Sequence, residues 1–181
     1  MITRRAGAAL GALLAAALVV VAIVQATNQA DAGRAPGTRV VRVVDGDTVV
    51  IHLSGRDEHV RLIGIDTPET VDPRKPVQCF GKEASRRAAA LLPSGTPVRL
   101  ERDVEARDQY DRALGYLWVG SNQINWLMIR MGWAVMLTYP PNVQYVEHFR
   151  SAEQKARAEK RGLWAIDGFA CLPVERRRGR C

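Results

Sequence analysis

Three cysteines in 181 residues, with no Cys-x-x-Cys pair among them, exclude a disulfide-dense scaffold and a thiolate zinc site. Histidine is equally scarce. His52, His59 and His148 are too scattered for a histidine metal centre and read as surface or packing residues. Aromatic residues make up only 6% of the chain, and Trp118, Trp126, Trp133 and Trp164 are expected to fill or border a core rather than stack bases. No internal repeat is present. Acidic residues are outnumbered, 19 against 26 Lys and Arg, so the net charge is +7 and an anionic partner such as nucleic acid or an acidic membrane surface is expected. With 47% hydrophobic and 25% charged residues, the chain is neither disordered throughout nor a polytopic membrane protein, and its length suits one domain.

One stretch lacks charge altogether. Arg4 and Arg5 precede the uncharged run from Ala6 to Val24, which small-residue sites follow at Val24-Gln25-Ala26 and Ala30-Asp31-Ala32. That is the plan of an export signal over residues 1–32, either cleaved or retained as a membrane anchor, with the domain outside in both cases. Residues 33–38 form a spacer, residues 39–166 the folded domain, and residues 167–181 a basic tail whose arginines, Arg176 to Arg180, are expected to be disordered.

Within the domain, Val40–Val44 and Thr48–Leu53 read as strands joined by Asp45-Gly46-Asp47, and a turn at Ser54–Asp57 leads to a third strand, His59–Ile65. Phe80, Ala84, Ala88 and Leu91 share a helical face that ends at Pro93-Ser94-Gly95. Strands are expected again at Val98–Val104 and Ala113–Val119. Ile124, Leu127, Met128 and Met131 then mark a second helix that stops at Gly132, and a third runs from about Val143 to Arg161. This order predicts an α+β protein: a small five-stranded barrel of OB-fold type with three packed helices.

Asp45, Asp47, Asp66 and Glu69 fall at strand ends, where the loops of a barrel converge. Each piece alone has a plainer reading as a turn or cap, but four clustered carboxylates repel one another unless a cation is bound, and oxygen donors suit Ca²⁺ or Mg²⁺ rather than zinc. Arg61 and Arg112 change the balance, because a planar guanidinium binds two phosphate oxygens at once, and two arginines beside an acidic metal site are what a phosphodiester hydrolase needs. Arg61 and Asp66 are an odd number of residues apart. On a regular strand they face opposite ways, so both can point into one site only if the strand bends or bulges, which Gly64 would permit.

The strings Asp45-Gly46-Asp47-Thr48, Arg61-Leu62-Ile63-Gly64-Ile65-Asp66-Thr67-Pro68-Glu69-Thr70 and Asp108-Gln109-Tyr110-Asp111-Arg112, with Arg161-Gly162-Leu163-Trp164 at the end, resemble the staphylococcal nuclease family. The resemblance implies an OB-fold enzyme that uses Ca²⁺ to hydrolyse DNA and RNA, leaving 3′-phosphates. It implies metal ligation by Asp47, Asp66 and the Thr67 carbonyl, with Asp45 as an outer-shell acid. Glu69 matches the general base, Arg61 and Arg112 the phosphate clamps, and Tyr110 and Tyr139 the substrate-binding tyrosines. In three places the chain departs from the family pattern: Asp111 stands where Gly is usual, Gln109 where Lys contacts the nucleotide, and Leu137 where a further Tyr does. A secreted or membrane-anchored monomer acting on nucleic acids is the expectation; the alternative is an idle OB-fold module that binds nucleic acid without cleaving it. For the exported chain, Cys79 with Cys171 and Cys171 with Cys181 are competing disulfides.

Overall fold

A computed structural model describes residues 37–70, 78 and 80–180. The segment expected to direct export, residues 1–32, therefore lies outside the described residues, among which no helix is long and apolar enough to cross a membrane. Strands β1 (Arg39–Val43), β2 (Thr48–Leu53) and β3 (Arg56–Leu62) form an antiparallel meander. The β2–β3 connection is tighter than expected, with Ser54 and Gly55 at φ 53° and 85°. Two residues with positive φ make the type of turn whose twist matches the flanking strands, so Arg56 pairs directly with Leu53 and lengthens β3 at its start.

The third expected strand ends early. After Leu62 the chain turns through Ile63–Gly64 and resumes as β4 (Ile65–Asp66). Further strands are β5 (Arg99–Glu101), β6 (Ala113–Val119), β7 (Asn122–Gln123) and β8 (Val135–Met136). β6 runs parallel to β3 and antiparallel to β5, giving the path β1-β2-β3-β6-β5, while β8 pairs with β4. The path returns on itself: Val40 donates to the Thr96 carbonyl at 2.9 Å, Gly95 to the Val40 carbonyl at 2.8 Å and Val98 to the Thr38 carbonyl at 3.2 Å. These bonds satisfy backbone groups that an open edge would leave bare. β5 is shorter than expected, since Asp103 leaves the sheet to accept hydrogen bonds from the Tyr116 hydroxyl and the Gln144 amide.

Among the described residues the α-helices are, in chain order, α1 (Gly81–Leu91), α2 (Ile124–Arg130), α3 (Val146–Ala158) and α4 (Pro173–Arg177). Val40, Val49, Ile51, Val60 and Leu62 from the meander meet Leu114 and Leu117 of β6, Met128 and Ile129 of α2, and Phe149 of α3 in one core. Each such side chain contributes about 1.5–3 kcal/mol by leaving water.

α4 corrects the expectation of a disordered tail. Pro173 presets the first helical turn, and Glu175 pairs with Arg178 at 3.7 Å and with Arg180. Leu172 packs on a small second cluster of Val135, Leu163 and Phe169, so the segment leading into α4 is anchored. Cys171, one residue earlier, is disulfide-bonded; both candidate partners, Cys79 and Cys181, lie outside the described residues.

Candidate active site

The loop between β1 and β2 turns on Gly46, where an added Cβ would stand 2.6 Å from Thr67 Oγ1. That close approach lets Thr67 donate both its amide, at 3.0 Å, and its hydroxyl, at 3.1 Å, to Asp47 Oδ2. Asp45 Oδ1 accepts the Asp47 amide at 3.0 Å and stabilises the same turn. Burial and the adjacent Asp47 push the Asp45 carboxyl up to about 7. Its proton relieves part of the repulsion in the cluster.

The bend needed to join Arg61 with Asp66 is present. Gly64 has φ 79°, and a Cβ there would lie 2.5 Å from the Phe149 ring, so only glycine fits both the backbone and the packing. Past this turn Arg61 Nη1 lies 3.1 Å from Asp47 Oδ1, and Nη2 lies 3.8 Å from Asp66 Oδ1. The same two nitrogens donate to the carbonyls of Leu62, at 2.9 Å, and Ile65, at 3.1 Å. Arg61 thus ties the two sides of the bend together. Burial alone would lower its pKa, but the charges of Asp47, Asp66, Asp45 and Glu69 outweigh it and the net direction is upward, so Arg61 stays cationic.

Asn125 holds this bend from behind, a role the sequence reading missed. It is fully buried on α2, accepts the Leu117 amide at 3.0 Å and donates to the carbonyls of Ile63, at 2.8 Å, and Gly115, at 3.4 Å. A lone amide beside the apolar stripe of Ile124 and Met128 was the available signal. Asn125→Ala is expected to lower stability by about 2–4 kcal/mol in urea unfolding, because it strands a buried donor and a buried acceptor.

Glu69 follows in the same loop as Asp66 and Thr67. Its carboxylate accepts the Thr70 amide at 2.8 Å, and its own amide donates to Gln78 Oε1 at 3.2 Å. Its charge acts on both Asp45 and Arg61. Arg112 sits just before β6, the strand beside β3; Asp108 accepts its Nε at 2.7 Å and its amide at 3.0 Å. Both Nη groups of Arg112 lack a hydrogen-bond partner among the described residues. Tyr110 is 70% exposed with its ring 5.5 Å from the Arg112 guanidinium, whereas Tyr139 is half-buried against the core.

Asp111, in place of the usual Gly, has φ 62°, which accounts for glycine at that position. Its carboxylate lies 3.5 Å from Arg107 Nη1 rather than on the neighbouring Arg112. Gln109 and Leu137 stand at the other two departures without a side-chain bond that defines a role for them.

Among the described residues no three His, Cys, Asp or Glu side chains converge closely enough to hold a metal ion. The expected donor set needs only two carboxylates with backbone oxygen, and it fits a hard cation. Asp66 is fully buried, its Oδ2 has no hydrogen-bond partner among the described residues, and burial followed by the charge of Asp47 raises its pKa. Its other oxygen, Oδ1, accepts Arg177 Nη2 of α4 at 2.6 Å, a contact across 111 residues with no counterpart in the sequence reading.

Residues 59–166 match the family described as Staphylococcal nuclease homologue. A thermonuclease of Staphylococcus intermedius is 44% identical over 125 residues, covering 69% of this chain and 74% of that protein. A thermonuclease of Staphylococcus hyicus is 40% identical over 127 residues, covering 70% and 75% respectively. The endonuclease YncB of Bacillus subtilis is 37% identical over 130 residues, 71% of this chain and 61% of its own length. The chain belongs to the staphylococcal nuclease family and is a nuclease, a hydrolytic enzyme of the thermonuclease type.

Proposed function

We propose that the protein is an exported endonuclease that hydrolyses DNA and RNA in a Ca²⁺-dependent reaction, leaving 3′-phosphates. The observation that carries this reading is the convergence of Asp47 and Asp66 about Arg61, with Asp66 Oδ2 left unpartnered among the described residues and Arg112 just before the neighbouring strand. Asp47, Asp66 and the Thr67 carbonyl would hold the cation, which supplies positive charge against phosphate oxygen and makes a water molecule more acidic.

The protein's own groups do the rest. A phosphodiester is already anionic, and attack by water adds negative charge at a crowded phosphorus. Arg112, oriented by Asp108, presents its open Nη edge to two phosphate oxygens, and Arg61 adds a fixed charge beside the carboxylates. Glu69, its carboxylate steadied by the Thr70 amide, accepts the proton of the attacking water. The 5′-oxygen leaves, so one product ends in a 3′-phosphate and the other in a 5′-hydroxyl. Exposed Tyr110 packs against the nucleotide, and Tyr139 borders the same site. Export rests on the sequence of residues 4–32 and is supported by the disulfide at Cys171, a bond that persists outside the reducing cytoplasm.

The protein should degrade single-stranded DNA and RNA in Ca²⁺, stop on chelation and respond poorly to Mg²⁺, whose tighter octahedron suits this donor set less well. Product ends should accept a kinase label at the 5′-hydroxyl without prior phosphatase treatment. Full cleavage in excess chelator would falsify the Ca²⁺ site, and 5′-phosphate ends would reverse the assignment of the leaving oxygen.

A further inference from the structure

We propose that α4 is a tethered competitor for the cation site: Arg177 occupies Asp66 when the ion is absent and must leave for the ion to seat, so the C-terminal segment sets the Ca²⁺ concentration at which the enzyme works. This rests on the reading of Asp66 as a ligand. Asp66 is fully buried, and Arg177, at 2.6 Å, is a closer partner for Oδ1 than Arg61, at 3.8 Å. A buried carboxylate beside Asp47 demands positive charge, and the guanidinium on Oδ1 meets the demand that a cation on Oδ2, unpartnered among the described residues, would otherwise meet. A guanidinium on one oxygen and a divalent ion on the other repel each other at this short range, so each weakens the other's hold.

Arg177 is well placed for displacement. Its side chain is 29% exposed, against 15% for the more enclosed Arg61, so water reaches the arginine although Asp66 itself is buried. Its delivery is not left to chance: Leu172 packs against the Val135, Leu163 and Phe169 cluster, Cys171 is disulfide-bonded, and Glu175 pairs with Arg178 and Arg180 to stabilise the short helix. Anchoring of this kind keeps the local concentration of the guanidinium high. A divalent ion carries twice its charge and gathers several oxygens at once, so it wins once its concentration is sufficient. Affinity for the ion is reduced by the fraction of molecules in which the arginine has left.

The test is Ca²⁺ titration calorimetry on the mature chain, comparing the wild type with Arg177→Gln, Arg176→Gln and Asp66→Asn. If one to ten molecules in a hundred are open without the ion, Arg177→Gln tightens Ca²⁺ binding by roughly 10-fold to 100-fold. Arg176→Gln removes the same charge from the same helix and should stay within about twofold, which separates the contact from the general field. Unchanged affinity in Arg177→Gln, with binding lost in Asp66→Asn, overturns the competition and leaves Asp66 a ligand. Wild-type affinity in Asp66→Asn overturns both. Hydrogen exchange on the wild-type protein provides a measurement that needs no variant: amides of residues 173–180 should exchange faster after Ca²⁺ is added, and equal or slower exchange counts against displacement.

Discussion

Glu69→Gln is expected to slow single-turnover cleavage by roughly 10²-fold to 10⁴-fold while Ca²⁺ affinity changes by no more than a few fold. The amide keeps the size of the carboxylate and can still accept the Thr70 amide through its oxygen, but it cannot take a proton from water. Asp47→Ala should show the opposite pattern, with a steep loss of Ca²⁺ affinity and partial recovery of cleavage at high Ca²⁺. It also strands the Thr67 amide and hydroxyl, both of which donate to Asp47 Oδ2, so some loss of stability accompanies it. Calorimetric Ca²⁺ titration with a non-hydrolysable nucleotide, beside single-turnover kinetics, separates the two patterns. If Glu69→Gln loses Ca²⁺ as severely as Asp47→Ala, Glu69 is a ligand and some other group accepts the proton.

Arg112→Lys should reduce turnover by roughly 10²-fold or more at saturating Ca²⁺, because a point charge cannot reproduce a two-oxygen contact. Its fold should survive, since among the described residues the side chain reaches only Asp108 and the Tyr110 ring. Arg61→Lys should match that kinetic loss and also lower stability. The carbonyls of Leu62 and Ile65 each take an Arg61 donor, and an ammonium cannot span both while facing Asp47 and Asp66. Thermal melts of the two variants therefore divide them even where their rates agree. Near-normal turnover in both variants would make these arginines structural ion-pair partners.

Local pattern accounts for much of the architecture. The expected strand over Thr48–Leu53 and the expected strand over Ala113–Val119 both form with those bounds, because β-branched and apolar runs bounded by turn residues have few other ways to bury themselves. The second helix follows the spacing of Ile124, Leu127 and Met128 for the same reason. Boundaries shifted where a distant partner intervened. Asp103 was drawn from the sheet by Tyr116 and Gln144, and the third helix starts at Val146 because Asn142 turns to accept the Glu105 amide.

By itself, the sequence determined the order of the main strands and of the first three helices, the family, and the residue types of the site, since carboxylates and arginines in short fixed strings are legible without coordinates. Even the need for a bend or bulge between Arg61 and Asp66 followed from their odd spacing, and Gly64 was the residue that could permit it. Only the tertiary structure decided which charges meet. The Phe149 ring against Gly64, the hydrogen bonds from Asn125 to both β6 and the Ile63 carbonyl, and the grip of Arg177 on Asp66 join residues far apart in the chain. No periodicity carries such contacts. Arg176, Arg177, Arg178 and Arg180 are alike as letters, and the path of the chain after Cys171 is what singles out Arg177 to reach a buried carboxylate.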